Sequence, residues 1–221
     1  MKNIVFIIWL IITSFNAYSQ QLEFEKELGK ENVETLNLLL EDFETNTLKK
    51  EYPNITIEEA YKEFLKAITK ENYSVLQKNK KVFKENDFKL RIYCVPDSTW
   101  IEKREHLSGR KGFVIKERYK HLTLNDKIDY TTSTIFCCEN KDKTQQLAKK
   151  ERVQINFSGL YIKALKNISN KSGFIKYYLE HIEAFGERVN PYTISDYILN
   201  NKIDTKNYLV RRILFINNVY R

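Results

Sequence analysis

The apolar positions along the chain change period twice, and those changes divide it into three parts. In "ENVETLNLLLEDFETNTLKK" Val33, Leu36, Leu40, Phe43 and Leu48 return at roughly helical intervals and form one stripe. Pro53 ends the pattern, because the residue before a proline resists the α conformation. "NITIEEAYKEFLKAIT" then opens on Thr56 and Glu59, spaced as a capping box, with Ala60, Phe64 and Ile68 on one face and Tyr61 and Leu65 beside them. "YSVLQKNKKVFKEN" repeats the start signal at Ser74 and Gln77, and sets Val75 and Val82, then Leu76 and Phe83, seven apart. Helices are expected over 30–86.

At Phe88 the period shortens to two. Phe88, Leu90, Ile92 and Cys94 alternate with Lys89, Arg91 and Tyr93, as in a half-buried strand. Pro96-Asp97 reads as a turn, "SGRKG" as a loop joining antiparallel strands, and "NDK" as turn chemistry. Between them "FVIKERYKHLTL" and "IDYTTSTIFC" are rich in β-branched and aromatic residues. Strands are expected over 88–138.

Helical spacing returns over 144–220. Phe157, Leu160, Tyr161, Ala164, Leu165 and Ile168 fall on one face of "INFSGLYIKALKNIS". Ser172 is placed to cap "GFIKYYLEHIEAF", Gly186 to stop it, and Pro191 to open the next helix behind Asn190. Asp204 is placed to cap a last helix carrying Leu209, Ile213, Ile216 and Tyr220. The fold class is α+β: N-terminal helices, a central antiparallel β-meander of three or four strands, and C-terminal helices, in one domain over 20–221. An all-α chain with a single hairpin is the competing arrangement.

The first residues, MKNIVFIIWLIITSFNAYSQQ, have the three parts of a secretory signal peptide. Lys2 is followed by the apolar run Ile4–Ile12 and by small residues at Ala17 and Ser19, which places cleavage after Ser19. Nine apolar residues cannot cross a bilayer core that takes about 20. No later run is long enough either, so an exported, soluble product is expected, periplasmic or secreted, with no transmembrane span in the mature chain. About 200 remaining residues can bury a core without covalent staples.

Charge is spread unevenly. Residues 20–87 hold 11 Lys/Arg against 15 Asp/Glu, residues 88–140 hold 10 against 7, and residues 141–221 hold 15 against 7. The basic last third makes an anionic envelope surface or a protein conceivable partners. The lysines are scattered along helices and no nucleic-acid-binding motif accompanies them, so nucleic acid is not expected.

Motifs that carry chemistry are scarce. "NFSGL" holds one glycine and sits in a helical pattern, so Ser158 is not a nucleophile on a strained elbow. Neither a phosphate-cradling glycine loop nor a zinc helix is present, and no cofactor or metal is expected. The candidates left are His106 and His121, which flank the "SGRKG" loop, and His181 beside Glu180, with Glu183 and Glu187 on the face of Glu180. The 14 tyrosines and 13 phenylalanines fit helix stripes rather than a binding ladder, and Trp100 is the only tryptophan after the leader. Three cysteines in an oxidising compartment leave two readings open. One is a disulfide from Cys94 to Cys137 or Cys138; the other is three reduced, buried thiols.

"RIYCVPDSTWIEKREH", "ISDYILNNKIDTKNYLVRRILFIN" and the leader end "NAYSQQ" resemble small exported bacterial proteins of unknown function. The resemblance implies export and supplies no activity. A non-enzymatic binding or interaction protein is the leading expectation. The alternatives are a hydrolase whose site is assembled from distant residues, and a basic envelope-surface or effector protein.

Overall fold

The structure, a computed structural model, describes residues 18–77, 87–105, 111–138, 140–149, 152–186 and 188–220, without the side chains of Gln77 and residues 136–138. Residues 1–17, which hold most of the signal peptide expected over 1–19, residues 106–110 with His106, and Glu187 lie outside the described residues. So does the second half of the third expected helix. The chain divides into two compact units, one drawn from 1–86 and 163–221, the other from 87–162. Helices and a four-stranded antiparallel sheet make the fold α+β.

The first unit is helical. A helix over 18–28 (α1) leads into α2 (Lys30–Phe43), a π-helical turn (Glu44–Leu48) and α3 (Lys49–Glu51). The π turn explains an irregularity in the first stripe. Phe43 and Leu48 are five apart, one more than an α turn accommodates, and both are fully buried. Closing that turn with the longer i→i+5 repeat keeps Leu48 on the core side. Pro53 follows the end of α3, as its chemistry requires. α4 (Ile57–Thr69) then starts on the capping box, with Glu59 N–H donating to Thr56 Oγ1 at 3.3 Å and Thr56 N–H donating to Glu59 Oε2 at 2.9 Å.

After the short α5 (Ser74–Gln77), the unit resumes in the later part of α8 (Leu160–Ile168), followed by α9 (Gly173–Phe185), α10 (Pro191–Asn200) and α11 (Tyr208–Leu214). Ser172 and Asn190 cap α9 and α10, and Gly186 ends α9 with φ 70°, a left-handed conformation that suits glycine. Asn207, not Asp204, caps α11: its Oδ1 accepts from Leu209 N–H at 2.9 Å and Val210 N–H at 3.2 Å, while Asp204 caps the preceding turn. A second π turn, Phe215–Val219, ends the chain with Tyr220 N–H donating to the Phe215 carbonyl. The two π turns meet in the core, where the Phe43 and Phe215 rings stand 5.7 Å apart.

Arg211 binds this core together. It is half-buried, with 17% of its side chain exposed, and its Nη2 lies 2.8 Å from Glu58 and its Nη1 3.5 Å from Glu44. Nε–H donates to the Thr205 carbonyl at 2.8 Å, and the Tyr61 hydroxyl donates to Glu44 at 2.9 Å. Arg212, beside it, is 8% exposed and lies over the Tyr208 ring at 3.2 Å while donating to Asn37. Burial pulls the Arg212 pKa down from its ordinary value.

The second unit is a curled meander. β1 (Tyr93–Glu105), β2 (Lys111–Leu122) and β3 (Ile128–Cys138) pair antiparallel in chain order, and β4 (Gln154–Ile155) adds to the start of β1. Residues Phe88–Ile92 are helical (α6) rather than the first strand turn expected from their alternation. Phe88, Lys89 and Ile92 are buried, a spacing of one and four that falls on one side of a helix, while the alternation of Phe88 and Ile92 alone would suit a strand over so short a run. Pro96-Asp97 is likewise no turn: the register shifts between Pro96 and Ser98, a bulge within β1 that leaves Asp97 to pair with Arg118. Pro96 is tolerated because β4 pairs only with Tyr93 and Cys94, so β1 is an edge from there on.

The expected helix over "INFSG" begins only at Leu160, because Asn156 and Gly159 form a buried turn behind β4. Asn156 N–H donates to the Ile92 carbonyl at 2.9 Å, and its Nδ2 donates to the carbonyls of Leu90 at 3.1 Å and Leu122 at 2.8 Å. α6, β2 and the turn are thereby joined through one amide. A Cβ at Gly159 would stand 2.4 Å from the Arg91 carbonyl oxygen and 2.7 Å from Asn156 Nδ2. Gly159→Ala therefore forces backbone apart and is expected to cost about 2–4 kcal/mol. Urea unfolding followed by circular dichroism reads this as a lower midpoint at an unchanged slope.

Candidate functional site

The sequence candidates fall in different surroundings. His121 is 4% exposed on the inner face of β2, with Asp129 of β3 as its cross-strand neighbour. Its Nδ1 has no hydrogen-bond partner among the described residues. By alternation Glu117 and Tyr119 share that face. Glu117 is 1% exposed and accepts from the Tyr119 hydroxyl and from Arg152 Nη1, while Arg152 Nη2 donates to the Leu147 carbonyl at 2.8 Å. Burial and the Glu117 carboxylate push the Tyr119 phenol up to about 12. A buried carboxylate so matched by a guanidinium and a phenol is held in place, which is a structural arrangement. Among the described residues no three His, Cys, Asp or Glu side chains group to hold a metal ion.

Glu180 and Glu183 sit on the exposed side of α9, and each has a lysine: Glu180 lies 3.9 Å from Lys176 and Glu183 lies 2.7 Å from Lys166. The same holds elsewhere in this unit, where Lys163 pairs with Glu27, and Lys171 with Glu23. With Arg211 and Arg212 turned inward, much of the basic surplus of the last third is met within the fold. Exposed pairs of this kind add little stability, but they flatten the field that an anionic surface would feel.

Cys94 is a free, buried thiol. β1 and β3 both run antiparallel to β2 and so point the same way. Val95 is registered with Lys120 at the start of β1, and Cys138 with Phe113 at the end of β3. Those levels lie seven positions apart along β2, about 23 Å at the rise of a strand. A disulfide needs its Cα atoms within about 7 Å, so the expected crosslink from Cys94 to Cys137 or Cys138 does not fit this register. The Cys94 Sγ–H instead reaches toward the Ile155 carbonyl at 3.9 Å. Burial pushes the thiol up to about 11, opposed by a hydrogen bond with Thr131.

His181 lies where the helical unit opens. Along α9, Phe174, Tyr177, His181 and Phe185 recur at helical spacing, and Tyr197 of α10 inserts among them. Phe174 and Tyr197 stack at 6.3 Å, Tyr197 and Tyr177 at 3.6 Å with 12° between planes, Tyr177 and His181 at 4.2 Å, and His181 and Phe185 at 6.1 Å. This row holds five rings, four in a stripe along α9 and one from α10. Its signal was visible as aromatic residues three, four and four apart on α9, but Tyr197 comes from another helix. Because the rings lie on each other, most of their faces are already covered. Burial, with Tyr197 and Asp196 nearby, pushes the Tyr177 phenol up.

Phe185, the last ring, is the exception at 72% exposure. It borders a cleft of about 440 Å3 lined also by His181, Arg188, Asn190, Pro191 and Thr193. His181 Nδ1–H donates to the Tyr177 carbonyl at 3.2 Å, the only role a carbonyl allows it, which leaves Nε2 for other partners. Arg188 Nη1 donates to the Asn217 carbonyl at 2.9 Å, and among the described residues the guanidinium makes no ion pair. The cleft takes in the N-terminus of α10, where Pro191 has no N–H and the Tyr192 N–H is already donated to Asn190 Oδ1 at 2.8 Å, so it is the helix dipole that favours negative charge. Behind it Asn217 Nδ2 donates to the Val189 carbonyl and to Asn218 Oδ1, both at 2.8 Å. Both asparagines are fully buried, and Asn217 Oδ1 and Asn218 Nδ2 lack partners among the described residues.

Comparison with known proteins finds no match to a family model, to a curated protein or to a solved structure. Among the described residues no helix is long and apolar enough to cross a membrane.

With Cys137 and Cys138 both changed to serine, the native protein at pH 8 is expected to label with iodoacetamide about 100-fold more slowly than the urea-unfolded chain. The cause is the raised thiol and its burial. Labelling at equal rates in both states would overturn this account of Cys94.

Proposed function

We propose that the protein is an exported, non-enzymatic binding protein, and that its ligand is a small amphiphilic anion seated in the cleft between α9 and α10. The carrying observation is the meeting of three features there. Phe185 presents an open ring, Arg188 presents guanidinium donors, and α10 presents the start of a ten-residue helix. A ring face selects a flat apolar body. A guanidinium with a helix N-terminus selects a carboxylate or phosphate, which charge-assisted hydrogen bonds hold more strongly than neutral ones. The stacked rings behind Phe185 keep it from folding into the core, so the apolar half of the site is set before a ligand arrives. The leader sequence supports export, and the absence of a nucleophile motif in the sequence supports binding over turnover.

Calorimetry with phenyl phosphate, benzoate, inorganic phosphate and phenol tests the reading. Phenyl phosphate is expected to bind best and phenol not at all. Arg188→Ala is expected to weaken phenyl phosphate at least tenfold, and Phe185→Ala to bring it close to inorganic phosphate. Lys176→Ala, on the exposed side of α9, leaves affinity unchanged. Failure of every anion to bind, or indifference to Arg188→Ala, would end the proposal.

A further inference from the structure

The two long edges of the meander are built differently. On the β1 side, the strand leaves β4 after Cys94 and carries Pro96, a bulge, and the charges Asp97, Glu102, Lys103, Arg104 and Glu105. Those are the devices by which sheets discourage a further strand. β3, the edge on the other side among the described residues, has no proline and only one register irregularity, at its far end between the Phe113 and Val114 pairings. Its eleven residues include one charge, Asp129, and neither proline nor glycine. From Phe136 to Ile128 it follows β2 without a register shift, so its outer row of amides and carbonyls is straight.

The side chains agree with the backbone. Residues 128–132 are all exposed, five in succession, so neither face of this stretch is covered. Ile128 is 57% and Tyr130 50% exposed, and Leu124 in the adjoining turn is 45% exposed. Arg118 lies over the Tyr130 ring at 5.1 Å, which holds that ring out on the surface.

We propose that β3 is the docking edge for a second copy of this chain, the two strands pairing antiparallel about a two-fold axis at Thr132. That register sets Tyr130 against Thr134, an aromatic to β-branched pair, and Thr131 against Ser133. Asp129 falls opposite Ile135, so the only charge on the strand never meets its copy. The segment is thus complementary to itself, as an isologous contact requires, and the guarded β1 edge keeps the pairing from propagating into a fibre. Nine residues of each copy, 128–136, form the joined ladder.

Thr132 is exposed on the outer face and tolerates a charge. On the axis it faces itself, so Thr132→Lys and Thr132→Glu each create a like-charge pair, and mixing the two variants creates an opposite pair. By analytical ultracentrifugation the wild type is expected to dimerise at tens of micromolar, each variant alone to stay monomeric, and the equimolar mixture to dimerise again. A wild type that remains monomeric to several hundred micromolar, or variants that dimerise unmixed, would overturn the proposal. Hydrogen exchange on the wild type needs no substitution: protection over 128–136 must rise with protein concentration, and concentration-independent exchange there also overturns it.

Discussion

An arginine that gives up most of its water dictates its own surroundings, because its charge must be matched there. Arg211 does so in the helical unit. Its guanidinium requires carboxylates, and they come from the first π turn (Glu44) and the first turn of α4 (Glu58), with the Thr205 carbonyl completing the set. Tyr61 closes the group by donating to Glu44 and lying 5.4 Å from the guanidinium. Three segments distant in sequence are thereby fixed at one point in a core of Phe43, Phe64 and Phe215. Hydrophobic burial supplies most of the driving force, but it would accept helices sliding on one another. The charged group does not. In the sheet unit Glu117 and Arg152 impose the same kind of constraint between β2 and the segment after α7 (Lys141–Ala148).

This accounts for where the charge went. The acidic first third and basic last third of the sequence suggest a molecule with two poles, yet in the helical unit Glu27 and Glu23 of α1 pair with Lys163 and Lys171 of the last third. Arg188 differs from its neighbours in sequence: it is held by a backbone carbonyl rather than a carboxylate. Among the described residues its charge meets no carboxylate, in a cleft where a helix begins and an aromatic ring stands open.

What could be read from the sequence was whatever local chemistry decides. The capping box at Thr56, the stops at Pro53 and Gly186, the Asn190-Pro191 start and the α+β class each depend on residues a few positions apart, and the structure has them. The errors share another cause. Phe88–Ile92 is too short for its period to separate strand from helix. Pro96-Asp97 carries turn residues but is held in a strand by ten registered pairs with β2. "INFSG" looks helical until Asn156 finds two carbonyls from α6 and β2. The candidate site was legible only as His181: Phe185 was read only as the end of the helix that Gly186 stops, Arg188 drew no notice, and Tyr197 joins the rings through packing no single-chain pattern encodes. Cys94 and the cysteine doublet were paired by compartment chemistry, which is silent on strand direction.

The π turn at Glu44–Leu48 has a consequence for how this chain tolerates change. A helix that closes one turn with an additional residue can be returned to plain α geometry by losing that residue, and gains another irregularity by adding one. Losing one residue leaves the leucine four after Phe43, where a plain α turn keeps it on the core side; adding one turns everything beyond it by about 100° about the helix axis. After an insertion the leucine would leave the core, while Glu44, which precedes the change, would stay before Arg211. Thr45 and Asn46 in the turn are exposed and free to vary in kind. The number of residues between Phe43 and Leu48 is constrained, so substitutions at Thr45 and Asn46 should be common, and single-residue insertions rarer than single-residue deletions.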